Sequence, residues 1–464
     1  MVGYSGTGYK GMQIDNKQKT IEGDLFKAFV AAGAISKANA DDPKKSALVR
    51  CARTDKGVHA AGNVISLKLI IEDEDIIDKI NANLPEQIRI WGIQRTTGSF
   101  SCYQACDSRW YEYLIPTHSF LPPHPASFLG KKLVEEAEKA GDLEEYNKRQ
   151  AEVADFWSEV EEKSIKPILD SLDESIRPLV EEALYIADAT DAPIDHDPII
   201  EASIDEALKD ETDAIAAKKA AASNEEAAAE TAKSSADEAM QIDETAAAVE
   251  KVEAQHPSTT FSESTDGTIP LPSSIVNKPA LEEAVKALKK AIMDAKRAYR
   301  ISPARQERVQ KALDNYLGTR RYHNYTVQKK YTDTSAKRYI KSFKMAEKPI
   351  IINDTEWLSL KVHGQSFMMH QIRKMVGMVA LTVRCGTHPD TMLASFENNV
   401  VRIPKAPGLG LLLERPVFDS YNDKMAQAHG REKIDFSRYD GKIQEFKERE
   451  IYQRIFREEG MGNQ

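Results

Sequence analysis

The densest run of reactive side-chain types in the 464-residue chain is Arg50-Cys51-Ala52-Arg53-Thr54-Asp55-Lys56-Gly57-Val58-His59-Ala60. An aspartate between Arg53 and Lys56 is held ionised by neighbouring positive charge, as a nucleophilic or basic carboxylate should be. Asp-Lys-Gly is also good turn chemistry, with the glycine at positive φ, and composition alone favours that reading. A second run, Gly3-Tyr4-Ser5-Gly6-Thr7-Gly8-Tyr9-Lys10-Gly11, carries the glycines of a tight turn against another backbone or a phosphate. Four cysteines, Cys51, Cys102, Cys106 and Cys385, give neither a disulfide framework nor a Cys-x-x-Cys pair. The spacing Cys102-x3-Cys106 could supply two zinc ligands, but buried thiols are the commoner outcome, so a thiol-reduced intracellular protein is expected. No secretory signal precedes Gly3.

Two stretches of alternating helix and strand supply the scaffold. In the first, 1 to about 116, residues 20–32 are predicted helical with Ile21, Leu25, Phe26 and Phe29 on one face. Residues 62–70 alternate as a strand with Ile65, Leu67 and Leu69 on one side; 74–84 read as a helix, and 88–94 and 111–115 as strands. In the second, 274 to about 421, residues 281–300 form an amphipathic helix. Ser302-Pro303 then caps a helix that runs through Tyr316 and stops at Gly318. Residues 357–362 alternate as a strand, and 369–384 have the spacing of a helix packed on a sheet. The tail, 437–458, carries Ile443, Phe446, Ile451 and Ile455 at helical offsets and is expected to dock on the body. The fold class is therefore α/β, a sheet layered with helices.

The formal charge of -10 hides an uneven distribution. Residues 191–256 hold 18 acidic and 5 basic side chains and residues 131–190 add a further -9, which leaves +12 on the rest. From 214 to 248 the chain has almost no large apolar side chain and cannot offset its ordering entropy, so disorder or a weak helix is expected over 191–266. Residues 131–187 read as an amphipathic approach with Phe156, Trp157, Ile168 and Leu172 as candidate buried positions. No apolar run approaches the length of a membrane span.

The string Arg53-Thr54-Asp55-Lys56-Gly57-Val58-His59-Ala60 resembles the R-T-D-x-G-V-H-A signature of the TruA-type tRNA pseudouridine synthases. Residues 3–13 are similar to that family's first strand and turn, and Ser108-Arg109-Trp110-Tyr111-Glu112-Tyr113 to its R-x-Y-x-Y element. Residues 318–326 and the run Gly364-Gln365-Ser366-Phe367-Met368-Met369-His370-Gln371-Ile372-Arg373-Lys374-Met375-Val376-Gly377 resemble the family's eukaryotic branch. In this alignment Met1 falls almost at the turn, so most of the family's first strand is expected to be absent.

The resemblance implies two RNA-recognition-like halves, 1–130 and 274–421, sharing a mostly antiparallel sheet with a cleft between them. Residues 131–273 are then an acidic insertion with a helical start, and 422–464 a helical extension. It implies Asp55 as the catalytic residue, Arg373 as its basic partner, Tyr111 as a residue stacking on the flipped uracil, and Arg53 as an aid to base extrusion. Tyr113, His59 and His370 are expected to be structural. Lys10, Arg109, Lys374, Lys329, Lys330, Lys337 and Arg338 are candidate RNA contacts, the last four beside Tyr325, Tyr331, Tyr339 and Phe343. Breaking C1′–N1 and rejoining through C5 requires no cofactor; zinc enters only because some fungal relatives contain it, and the sequence shows no ligand set. The implied substrate is tRNA, with U2-type small nuclear RNA and messenger RNA as further candidates, and the implied setting a nuclear monomer with a mitochondrial pool. Two other classes remain open on the residues: a tRNA-holding protein without turnover, and a metal nuclease on Asp55, which lacks companion carboxylates.

Overall fold

Alternating apolar residues produce strands in both stretches. In the computed structural model, which describes residues 1–181 apart from 16, 41 and 175, and residues 278–462, eleven form among the described residues. They are β1 (Val2–Tyr4), β2 (Val49–Arg50), β3 (His59–Asn63), β4 (Ile65–Ser66), β5 (Ile88–Ile90) and β6 (Ser108–Pro116). The second stretch supplies β7 (Gly318–Arg321), β8 (Lys337–Met345), β9 (Ile350–Ile352), β10 (Thr355–Gly364) and β11 (Leu411–Val417). One sheet of nine runs β5-β1-β3-β11-β6-β10-β8-β7, with β9 paired to β10. Every pairing in it is antiparallel except β3–β11, where Leu412 and Leu413 oppose His59 and Ala60. β11 therefore lies between two strands of the first stretch. Val2–Tyr4 do form a strand, fully buried between β3 and β5. The acidic run 191–266 lies outside the described residues.

Period-two alternation places successive side chains on opposite faces of a strand, and β6 divides two cores in this way. Tyr111, Tyr113 and Ile115 enter a core shared with Leu25 and Phe29 of the helix Ile21–Ala31 and Met375 and Val379 of the helix Gln371–Arg384. Leu114 enters a second core with Trp91, Trp357 and Phe446. Ile443, Phe446, Ile451 and Ile455 of the tail are all buried in this second core, on the helices Asp440–Phe446 and Gln453–Gly462 and the turn between them.

The helix starts follow from their caps. Thr20 Oγ1 accepts the Gly23 N–H at 3.3 Å, and Ser302 Oγ accepts that of Arg305 at 3.2 Å, with Pro303 in the first turn. Each cap contributes about 1 kcal/mol. The strand expected over 62–70 breaks after Asn63. Asn63 Oδ1 accepts the Val64 N–H at 2.8 Å, and its Nδ2 donates to the Ala52 carbonyl at 3.0 Å. The chain thus leaves the large sheet, and Ile65–Ser66 pairs with Val49–Arg50.

The approach segment folds into the helices Phe128–Lys139, Leu143–Gln150, Phe156–Val160 and Lys166–Asp170. Trp157 is buried with Val153, Val160, Ile165 and Leu169, whereas Phe156, Ile168 and Leu172 are half-buried. Arg305, fully buried, ties this segment to the body: Nε donates to Phe120 O at 2.9 Å, Nη1 to Gln150 Oε1 at 3.2 Å and Nη2 to Val383 O at 3.1 Å. No helix among the described residues is long and apolar enough to cross a membrane.

Candidate active site

Asp55 sits in the loop entering β3, and the turn chemistry of its neighbours holds it there. Gly57 takes φ +76° and the Val58 N–H donates to the Asp55 carbonyl at 3.1 Å. The N-terminal glycine run braces this loop. A Cβ on Gly6 would stand 2.2 Å from Val58 O, and one on Gly11 3.0 Å from Thr54 O. The Met12 N–H donates to Thr54 O at 3.0 Å, and the Tyr4 and Thr54 hydroxyls share a 2.8 Å hydrogen bond. The run's close approach is thus to backbone.

The Asp55 side chain retains 32% exposure, and its Oδ2 accepts a hydrogen bond from His370 Nδ1 at 3.0 Å. Burial pushes this carboxyl up. The His370 hydrogen bond and the charges of His370, Arg373 and Lys405 outweigh burial and leave it below its ordinary value. His370 was expected to be structural and Arg373 to be the partner; in the fold the hydrogen bond comes from His370. Arg373 acts through its charge, because its Nε is spent on Ala406 O at 2.7 Å and its carbonyl accepts the Ala406 N–H at 3.1 Å.

His370 precedes the helix Gln371–Arg384 with φ +59°, a left-handed conformation costing about 1–3 kcal/mol for a residue other than glycine. That backbone turns the imidazole back over the Asp55 loop, and its Nε2 is buried with no hydrogen-bond partner among the described residues. His59 differs. The Gly6 N–H donates to its Nδ1 at 3.2 Å, so Nε2 carries the proton and donates to Leu409 O at 3.1 Å. Burial lowers its pKa to about 4, and it is a neutral strut.

Tyr111 lies on the same face of β6 as Tyr113, buried, with its ring edge-on to Phe367 at 5.3 Å between centroids. Burial pushes its hydroxyl up, and it stays a phenol. The Tyr113 hydroxyl is spent on Pro407 O at 2.8 Å, anchoring the loop before β11. Arg53 is exposed at the rim. Arg109 reaches back to this loop, donating from Nη2 to Cys51 O at 2.9 Å.

A family model described as tRNA pseudouridine synthase matches residues 312–419. The chain is 42% identical over 461 residues to tRNA pseudouridine synthase 1 of Yarrowia lipolytica, spanning 99% of this chain and 70% of that protein. It is likewise 42% identical to tRNA pseudouridine synthase 1 of Schizosaccharomyces pombe, spanning 99% and 80%. With tRNA pseudouridine(27/28) synthase of Saccharomyces cerevisiae it shares 30% identity, spanning 92% and 85%. The chain belongs to the tRNA pseudouridine synthase family.

The cations that a pseudouridine synthase could turn toward phosphate are unevenly available here. Lys10, Lys330 and Lys337 are exposed, Lys329 and Arg338 half-buried. Lys374 is spent on the carbonyls of Asn324 and Thr326 at 3.2 and 3.0 Å. Among the aromatics expected beside them, Tyr325 and Phe343 are core residues, Tyr331 lies under the Arg321 guanidinium at 4.7 Å, and Tyr339 is exposed. Among the described residues no three His, Cys, Asp or Glu side chains converge as a metal site. Cys102 Sγ donates to Val49 O and Cys106 Sγ to Ser108 O, both at 3.2 Å, so the two thiols whose spacing could suit zinc are each engaged by a backbone carbonyl.

Proposed function

We propose that this isomerase converts uridine to pseudouridine in tRNA with the Asp55 carboxylate as its catalytic group. The observation that carries the reading is the state of Asp55: ionised, partly open, and hydrogen-bonded among the described residues on one side-chain oxygen, within a family defined by this reaction. The C1′–N1 bond breaks, the uracil rotates, C1′–C5 forms, and a proton leaves C5 while one is taken up at N1, so atoms balance without redox change. An ionised carboxylate serves either as nucleophile or as the base that removes the 2′ proton. Tyr111, held as a phenol, offers a ring for stacking and an O–H to donate. The target nucleotide must leave its stack to reach the loop, and Arg53 at the rim can fill the space it vacates.

The recognising surface is the exposed basic side chains, which read backbone and shape rather than base identity. Small nuclear and messenger RNA uridines presented in a tRNA-like shape fall within the same proposal. So does a nuclear site of action with a mitochondrial pool, on the family resemblance, and a catalytic body of 1–130 with 274–421, buttressed by 422–464.

The test is an assay of unmodified tRNA transcript with wild-type protein and Asp55→Ala, mapping pseudouridine by carbodiimide-dependent primer extension. Product from the wild type and none from a variant that still binds supports the reading. Binding without product from the wild type points instead to a tRNA-holding protein.

A further inference from the structure

The tail helices cover only part of the sheet face they pack on. Lys447 and Tyr452 of the tail reach Glu112 there, and Lys361, the residue opposite Glu112 on β10, is already exposed. Two residues further along each strand lies a row that crosses four strands. Arg415 on β11 opposes Trp110 on β6, which opposes His363 on β10, which opposes Ser342 on β8. Alternation puts this row on the face away from Tyr111 and Val362, which enter the first core. Arg415 is exposed and the other three are half-buried.

Trp110 is large enough to anchor a core, yet it belongs to neither of the two cores. Its indole stacks on the His363 imidazole, with centroids 4.2 Å apart and planes 15° from parallel. His363 Nε2 shares a 2.8 Å hydrogen bond with the buried Ser108 Oγ, which fixes the ring. Burial and the Lys341 charge lower the His363 pKa to about 4, against the Asp419 charge, so the imidazole is neutral. The pairing of β10 with β8 shifts register between His363 and Gly364, so Ile340 and Phe343 both face the first core and Lys341 is the extra, exposed residue between them. Tyr339, on the face opposite to Ile340, is exposed as well. Lys344, by contrast, is spent on Asp314 at 3.2 Å.

A flat aromatic surface edged by exposed cations suits an unpaired nucleic-acid strand, whose bases stack while its phosphates meet Lys and Arg. A paired stem keeps its base faces inside the helix, and an acidic peptide would use the cations but not the stacked rings. We propose that this uncovered sheet face is a second RNA site that takes an unpaired strand of the substrate. One base stacks on the Trp110–His363 pair and another on Tyr339, and Lys341, Lys361 and Arg415 hold the phosphates. That the strand belongs to tRNA rests on the reading of function above; the stacking site does not. The strands end here at Arg109 and Gly364, and the chain runs on from Gly364 to His370 beside Asp55, so RNA passing round this end of the sheet leads toward the carboxylate.

The experiment measures binding of the full chain to unmodified tRNA transcript and to a short oligouridylate carrying 5-iodouridine, with Trp110→Ala, Trp110→Phe and Lys341→Ala beside the wild type. Trp110→Ala should weaken both about 5–100-fold, the value of one stacked base, and raise KM rather than lower kcat. Trp110→Phe, which keeps a ring, should lose less, and Lys341→Ala should lower the salt slope by about 0.7. Irradiation should link the oligonucleotide to the peptide of Trp110 or Tyr339 in the wild-type protein, a readout that does not depend on any variant folding. Wild-type affinity in Trp110→Ala, equal competition by a fully paired duplex, or linkage only at the Asp55 loop overturns the proposal. Displacement of the oligonucleotide by polyglutamate as readily as by tRNA also overturns it and assigns the face to an acidic protein partner. If the wild type binds tRNA and makes no pseudouridine, the Asp55 reading fails while the Trp110 variants and the linked peptide still decide whether this site exists.

Discussion

Two carboxylates on opposite sides of the sheet are treated in opposite ways. Glu112, one residue from Tyr111 but on the other face of β6, is buried and saturated: Ser359 Oγ donates to it, Tyr452 donates at 2.6 Å, and Lys447 Nζ lies 3.3 Å away while also bonding Glu414. The Asp55 side chain has one hydrogen bond among the described residues and an open side. A carboxylate held on both oxygens rigidifies its surroundings, and one left short of partners stays free to meet a substrate. The cations differ as well. Lys447 is in contact with its acids, whereas Arg373 and Lys405 lower Asp55 by charge without occupying it.

The largest effect expected from breaking this contrast is Asp55→Asn, which should lower pseudouridine formation about 10³-fold or more. Thermal unfolding should change little, and a comparable loss of melting temperature would assign Asp55 to structure. On the saturated side, Lys447→Met should destabilise the fold by about 3–5 kcal/mol in urea unfolding, because the buried Glu112 and the half-buried Glu414 lose their shared cation. Adding Glu112→Gln and Glu414→Gln should recover much of that loss. No recovery would show that the lysine's packing, not its charge, matters.

His370→Ala should reduce kcat/KM by roughly 10–100-fold, the value of one hydrogen bond to a charged group. Because Asp55 sits below its ordinary range, wild-type activity should be flat through neutral pH and fall only as pH drops through that lowered value. Without His370, burial pushes the carboxyl up and the acid limb should move to higher pH. His370→Asn, which tolerates the left-handed backbone and keeps an N–H donor, should restore part of both. An unmoved acid limb in the alanine variant would dismiss His370 as the group that sets Asp55. The same linkage governs stability. Glu112 and Asp55, both lowered in the fold, contribute fully above the unfolded carboxylate range, and that contribution is lost as pH falls through their folded values. Glu414, raised by burial, works against it.

The smallest effect expected is Lys337→Ala, which should weaken tRNA binding slightly and lower the salt slope by about 1 without changing the target uridine. An unchanged slope would remove Lys337 from the phosphate contacts.

Local features of this molecule were legible in the sequence, and distant pairings were not. Gly57 at positive φ, the Ser302 cap and the opposed faces of β6 each follow from a few adjacent residues. The strand over 62–70 failed at Asn63, whose side chain took over backbone partners in a way no alternation pattern records. The two contrasted pairs, Asp55 with His370 and Glu112 with Lys447, lie 315 and 335 residues apart. A motif could place Asp55 and Arg373 near one another, but the left-handed turn at His370 decides which side chain reaches the carboxylate. The same holds for Lys374, whose charge is spent on two carbonyls that only the folded chain presents.

The position of β11 sets an order of events during synthesis. β3 and β6 are made early, yet the strand that fills the gap between them begins at Leu411, after Pro116 has already left the ribosome. At about 5–20 residues per second, roughly 15–60 s separate the two. Through that interval the strands that frame the Asp55 loop have open edges, which are templates for pairing with another chain. The surroundings of Asp55 are therefore among the last parts of the molecule to assemble, and a nascent chain stalled within the acidic stretch would present the unpaired centre of its own sheet.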